Sequence, residues 1–234
     1  MSLDSSFRRV SIKASLRNKT KIFGLHGLLD VPFRNMLTDG AAGHNIHLPP
    51  LYPINASANY SLLYCLFRTI TEMKCKRVLE IGAGQTTLLL AALSRSRDLF
   101  VDTLETDGEW AARLQQVDGT RIHFSALKKV TRNGIPALHF ENTADLRTDY
   151  DVVLVDGPNG TPRYSRYACM EILAERLAAE FVVIFDDAER RGEQDTIKAF
   201  LGTSNGSRVQ VRFVGGTKWQ CLLFTQQYSA LRYY

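Results

Sequence analysis

Patterned cysteine is missing from this chain. Cys65, Cys75, Cys169 and Cys221 stand far apart with no Cys-x-x-Cys pair. That excludes a disulfide framework and a thiolate zinc site of ordinary spacing, and it reads as core thiols in a reducing compartment. Histidine is scarce too. His44 and His47 lie near each other with no further ligand cluster beside them, which gives no pattern for a metal centre. No apolar run approaches the ~20 residues that a membrane-spanning helix needs. The first residues lack the apolar core of a secretory signal. These absences predict a cytoplasmic protein with no membrane span. Strong charge imbalance is also lacking: the net charge is +5 and the pI about 9.1, so a nucleic-acid partner is allowed but not required. Arg8, Arg9, Lys13, Arg17, Lys19 and Lys21 face only Asp4 near the start. That composition suits a solvated basic arm, and it is compatible with an organelle transit peptide.

What is present is an ordinary globular balance, 45% hydrophobic and 23% charged over 234 residues. One α/β domain with a small extension follows, with a core large enough to need no staples. Residues 1–55 read as an N-terminal arm, irregular through about residue 50, with turn signals at Asp39-Gly40, Ala42-Gly43 and Pro49-Pro50. Residues 56–234 carry the periodic pattern. A helix is expected from an N-cap at Ser57 through Ile70, then a strand over Arg77–Ile81 and a helix from Thr86 to Ser96. A second strand runs Leu99–Glu105, followed by a helix from Gly108 and a short strand over Arg121–Phe124. Asp151–Asp156 is apolar throughout, as a strand covered on both faces should be. A helix over Arg163–Ala179, a strand over Phe181–Asp186 and a helix over Glu189–Leu201 complete the alternation. Val209–Val214 and Trp219–Phe224 flank Gly215-Gly216 as a closing hairpin. The order predicts a doubly wound, mostly parallel α/β sheet of seven strands with an antiparallel C-terminal hairpin, a Rossmann-like fold.

In such a sheet a ligand sits beyond the carboxyl ends of the strands. Glu80, Gly82, Gly84, Glu105, Asp156, Asp186 and Asp187 all fall at or just past those ends. Glycines there let a ligand lie against the main chain, and the following helix points free N–H groups at the same spot. Glu105, about twenty residues after the glycines, suits two ribose hydroxyls. A nicotinamide dinucleotide would call for a third glycine at the sixth motif position, where this chain has Thr87.

Glu80-Ile-Gly82-Ala-Gly84-Gln85-Thr86 resembles the first motif of class I S-adenosylmethionine-dependent methyltransferases, with Thr86 in place of that family's third glycine. The resemblance covers roughly residues 57–225. It implies that Gly82 and Gly84 face the amino-acid part of the cofactor, Glu105 its ribose, and Ser125 and Ala126 its adenine. Glu80, Gln85, Thr86 and Asp156 complete the implied cofactor set. Asp156 with Asp186-Asp187 is similar to the metal site of cation-dependent O-methyltransferases acting on catechols and caffeoyl esters, which implies a divalent cation such as magnesium. Those enzymes have Asn where this chain has Asp187, and a lysine where it has Asn159. Val155-Asp156-Gly157-Pro158 and Phe185–Arg191 are also partly similar to enzymes that methylate glucuronoxylan hydroxyls.

The resemblance therefore implies methyl transfer to oxygen on a small molecule or glycan, with Asp156, Asp186 and Asp187 on the acceptor side. For Asp186-Asp187 the plainer alternative is a strand terminator and helix cap. Tyr52, Tyr60, Tyr164 and Tyr167 are candidates for lining the acceptor pocket. Arg163, Arg166, Arg190 and Arg191 are candidates for holding an acidic acceptor. Two rival functions stay open, an RNA methyltransferase and a binding protein that keeps the fold without turnover. A homo-oligomer is allowed.

Overall fold

The computed structural model describes residues 3–20, 26–52, 57–132, 134–158 and 160–234. In chain order the strands are β1 (Arg77–Ile81), β2 (Phe100–Glu105), β3 (Arg121–Phe124), β4 (Leu127–Arg132) and β5 (Ile135–Phe140). There follow β6 (Tyr150–Val155), β7 (Leu177–Phe185), β8 (Gln210–Gly215) and β9 (Trp219–Phe224). Seven of them form one sheet in the order β3-β2-β1-β6-β7-β9-β8, and β4 and β5 pair separately. β3, β2, β1, β6 and β7 are parallel, while β9 is antiparallel to both β7 and β8. This is the doubly wound sheet with a C-terminal antiparallel pair that the element order predicts.

The helices are α1 (Leu3–Thr20), α2 (Val31–Gly43), α3 (Tyr60–Met73), α4 (Gln85–Ser96), α5 (Gly108–Leu114), α6 (Cys169–Glu175) and α7 (Arg191–Leu201). Successive side chains of a strand point to opposite faces, and here both faces are buried. Val78, Val152, Leu154, Val182 and Ile184 share a core with Leu37 of α2, Leu62 and Leu66 of α3, and Leu89 of α4. Leu79, Ile81, Val153, Val155, Val183 and Phe185 share another with Phe7 of α1, Ile172 of α6 and Phe200 of α7. No helix among the described residues is long and apolar enough to cross a membrane. All four cysteines are buried and unpaired, and burial pushes Cys65, Cys75 and Cys169 up to about 12.

Several expectations need correction. Residues 3–20 and 26–43 are helical, not irregular. Gly40 stands inside α2 because a Cβ there would come within 2.8 Å of Cε1 of Phe67, so glycine lets α2 lie close on α3. Ser57 does not cap α3; Asn59 does, accepting from the Leu62 N–H at 3.3 Å. The stretch expected as a helix over 163–179 is mostly not one. Tyr164 and Arg166 take left-handed φ values of 47° and 58°, so helix begins only at Cys169, and Leu177 already opens β7. Residues 127–132 and 135–140 pair as the antiparallel strands β4 and β5.

Candidate active site

The loops after β1, β2 and β6 converge on one cavity of about 510 Å³, a size typical of small-molecule pockets at roughly 300–1,000 Å³. Gly82 makes that convergence sterically feasible. Its φ is +93°, and a Cβ on it would fall 2.7 Å from both N and Cα of Gly157. The β1 and β6 loops thus touch backbone to backbone. Gly84, also on the cavity wall, has extended backbone, and a Cβ there would meet nothing within 4 Å. One glycine allows close contact and the other leaves space.

Glu105 closes one side of the cavity. Its Oε1 accepts from the N–H groups of Thr106 (2.6 Å) and Asp107 (2.9 Å), and Oε2 from Ala83 N–H (2.9 Å). This carboxylate therefore stays fixed in orientation, with Oε2 beside the β1–α4 loop. Trp110 lines the same wall and donates from Nε1 to the Ala83 carbonyl at 3.2 Å, which holds its ring edge.

Glu80 lies beneath the cavity and does not line it. It is fully buried and accepts from the hydroxyls of Thr86, Thr87 (2.7 Å) and Thr103 (2.8 Å). Burial pushes its carboxyl up to about 7, against those three donors. Thr86 is spent on this bond and is itself buried. Gln85 lines the cavity and accepts from the Tyr52 N–H at 2.8 Å. Ser125 and Ala126 do not line the cavity. Ser125 Oγ instead accepts from Asn142 N–H at 3.0 Å, behind β3.

The opposite wall is ionic. Asp156, Asp186 and Asp187 bring carboxylate oxygens within 4.8 Å of one another; Asp156 and Asp187 line the cavity, and Asp186 stands behind them. Arg166, also buried, runs through the cluster. It reaches Asp187 Oδ2 at 2.7 Å and Asp156 Oδ1 at 3.3 Å, and donates to the carbonyls of Val155 and Asp186 at 3.0 and 3.2 Å. Lys218 Nζ lies 3.1 Å from Asp186 Oδ2 and 3.5 Å from Asp187 Oδ1. Arg190, half exposed at the rim, sits 3.0 Å from Asp187 Oδ2. Burial and the charge of Asp186 hold the Asp156 carboxyl well above the usual carboxylate range. Burial acts the same way on Asp186, but Lys218, Arg166 and Gln220 outweigh it and hold that group low. Neither Asp186 nor Asp187 caps α7, whose N-cap is Arg190. Asp187 itself takes a left-handed φ of 55°, a costly conformation for a non-glycine residue, of the kind that collects at functional sites.

Of the arginine candidates, Arg166 and Arg190 reach the cavity, whereas Arg163 pairs with Asp195. None of the four tyrosines lines it. Asn159 and Lys21 lie outside the described residues. Trp110, Lys218 and Gln220 carry no motif that would single them out. A charged residue between Gly216 and the wholly buried β9 is the one cue for Lys218.

No protein-family model and no curated protein matches the sequence. Solved structures similar to this chain include an O-methyltransferase from Bacillus cereus in complex with SAH, at 15% identity and a TM-score of 0.46, covering 83% of this chain and 90% of that one. The N-terminal domain of human METTL16 in complex with SAH is similar at 11% identity and a TM-score of 0.47, covering 79% and 77%.

Proposed function

We propose that this protein is an S-adenosylmethionine-dependent methyltransferase acting on oxygen, with a small-molecule or sugar hydroxyl as acceptor. One observation carries the reading. A single cavity has open backbone at Gly84, the anchored Glu105 carboxylate and the Trp110 ring on one wall, and Asp156 with Asp187 on the other. The first wall fits the cofactor. Glu105 accepts hydrogen bonds from paired ribose hydroxyls, Trp110 offers an apolar face to a flat base, and Gly84 leaves room for the chain that bears the sulfonium.

When bound, such a cofactor supplies an electrophilic methyl carbon. The protein's part is to align the acceptor oxygen and take its proton. Asp156 suits the second task by position, as a carboxylate on the cavity wall held 3.3 Å from Arg166. With such a cofactor bound, Asp156 would take the proton that the acceptor hydroxyl gives up. Arg166 holds that carboxylate in place, and Arg190 at the rim attracts an acidic acceptor such as a uronate.

A divalent cation fits these residues poorly. The Asp187 Oδ1 atom is buried without a hydrogen-bond partner and would welcome one. However, the carboxylates of Asp156, Asp186, Asp187 and Glu193 already face the cations of Arg166, Lys218 and Arg190. Unit charges about 4 Å apart interact by about 4 kcal/mol at a partly buried site, and a dication doubles that against Lys218. No step here is routed through a metal.

Calorimetry with S-adenosylhomocysteine tests the reading. Micromolar binding is expected, and folded protein that takes up none at ~1 mM would remove the cofactor from the account.

A further inference from the structure

We infer that Lys218, carried on the β8–β9 turn, is the resident cation of the carboxylate cluster, and that its presence keeps divalent ions out of this site. The inference concerns the acceptor side of the proposed methyl-transfer site, yet its charge argument stands without that assignment.

The turn is held from both sides. Thr217 donates from its N–H to Asp30 Oδ1 (2.9 Å) and from its hydroxyl to Asp30 Oδ2 (3.0 Å). Gly216 donates to the Lys218 carbonyl at 2.9 Å, and a Cβ on Gly216 would fall 2.3 Å from Asp30 Oδ1. The backbone bearing Lys218 therefore has little freedom. Next along the chain, Gln220 donates to Asp186 Oδ1 at 2.8 Å and to Asn59 Oδ1 at 3.2 Å, while its own Oε1 accepts from Ser61 at 2.7 Å. Asp30, Asn59, Ser61, Gln220 and Asp186, all buried, thus form one network that Thr217 joins from the turn.

Its outcome is that each oxygen of Asp186 already holds a donor, Gln220 on Oδ1 and Lys218 on Oδ2. The Lys218 side chain is only 13% exposed, so the ammonium cannot swing into water without leaving this network. A hard cation binds carboxylate oxygens at about 2.0–2.6 Å and would have to displace that ammonium. With Arg166 on Asp156 and Asp187, the cluster is close to charge balance without any ion.

The test is the free-ion paramagnetic resonance signal of Mn²⁺ titrated with the full chain. Wild type should leave the signal unchanged at millimolar Mn²⁺, whereas Lys218→Met and Lys218→Gln should each take up one ion at least roughly tenfold more tightly. Uptake of one Mn²⁺ by wild type, abolished in Asp186→Asn, would overturn the inference whether or not the Lys218 variants fold. Folded Lys218 variants that still ignore Mn²⁺ would overturn the role of the lysine. The S-adenosylhomocysteine titration is read separately, so loss of the cofactor assignment and loss of this inference give different results.

Discussion

Glu80 and Glu105 stand at the carboxyl ends of neighbouring strands β1 and β2, and their hydrogen-bond partners set them apart. Glu80 is enclosed by three hydroxyls, and its carboxyl holds a proton up to about pH 7, against 4.5 in an unfolded chain. Between those values the native state binds more protons than the unfolded one, so stability falls as pH rises through the window. At about 1.4 kcal/mol per unit the loss amounts to roughly 3 kcal/mol. Glu80→Gln should abolish that decline. Urea unfolding of both proteins at pH 5 and pH 8 measures it, and an unchanged difference would show that the shift is not borne by Glu80. Glu105, in contrast, is anchored by backbone N–H groups and faces the cavity. Glu105→Gln would set an amide against those donors, and charged hydrogen bonds are worth about 1.5–3 kcal/mol. S-adenosylhomocysteine affinity should fall about tenfold or more, read by calorimetry.

At the scale of elements, the two loop glycines predict a split between stability and binding. Gly82→Ala places a Cβ in contact with Gly157 at positive φ, and strain of that kind costs about 1–3 kcal/mol. Thermal unfolding should show a lower Tm. Gly84→Ala adds a methyl group to open space in an extended backbone, so its Tm should stay within a degree or two while cofactor affinity drops, because the methyl occupies the cradle. Equal losses of Tm in both variants would contradict the distinction. The strands and the helices beneath them were legible because their buried faces impose strict periods. The apolar run Trp219–Phe224 marks β9 at both ends and is buried at every position. Segment 160–168 was not legible, since its shape comes from Arg166 being drawn inward to the carbonyls of Val155 and Asp186. A side chain reaching two other strands leaves no mark on local periodicity.

Across the whole molecule, the chain's early and late residues meet at the acidic wall. Asp156, Asp186 and Asp187 were readable as acids at strand ends. Their partners were not, because Asp30 and Lys218 are 188 positions apart in sequence and nothing local links them. Asp30→Ala removes acceptors from Asn59, Tyr60 and Thr217. Leaving buried donors unpaired costs about 1–3 kcal/mol, and the expected result is a lower urea midpoint with an unchanged slope. A midpoint equal to wild type would mean that residues before α3 contribute little to the acidic wall.

The same network sets an order of events during synthesis. Asp186 leaves the ribosome some thirty residues before Lys218 and Gln220, the groups that neutralise and hydrogen-bond it. Until β9 is threaded beside β7, the centre of the nascent sheet carries a carboxylate without the counter-charge that the β8–β9 turn brings. The last hairpin therefore acts as a latch, and a chain halted before residue 218 should remain open to proteases even with five parallel strands already made.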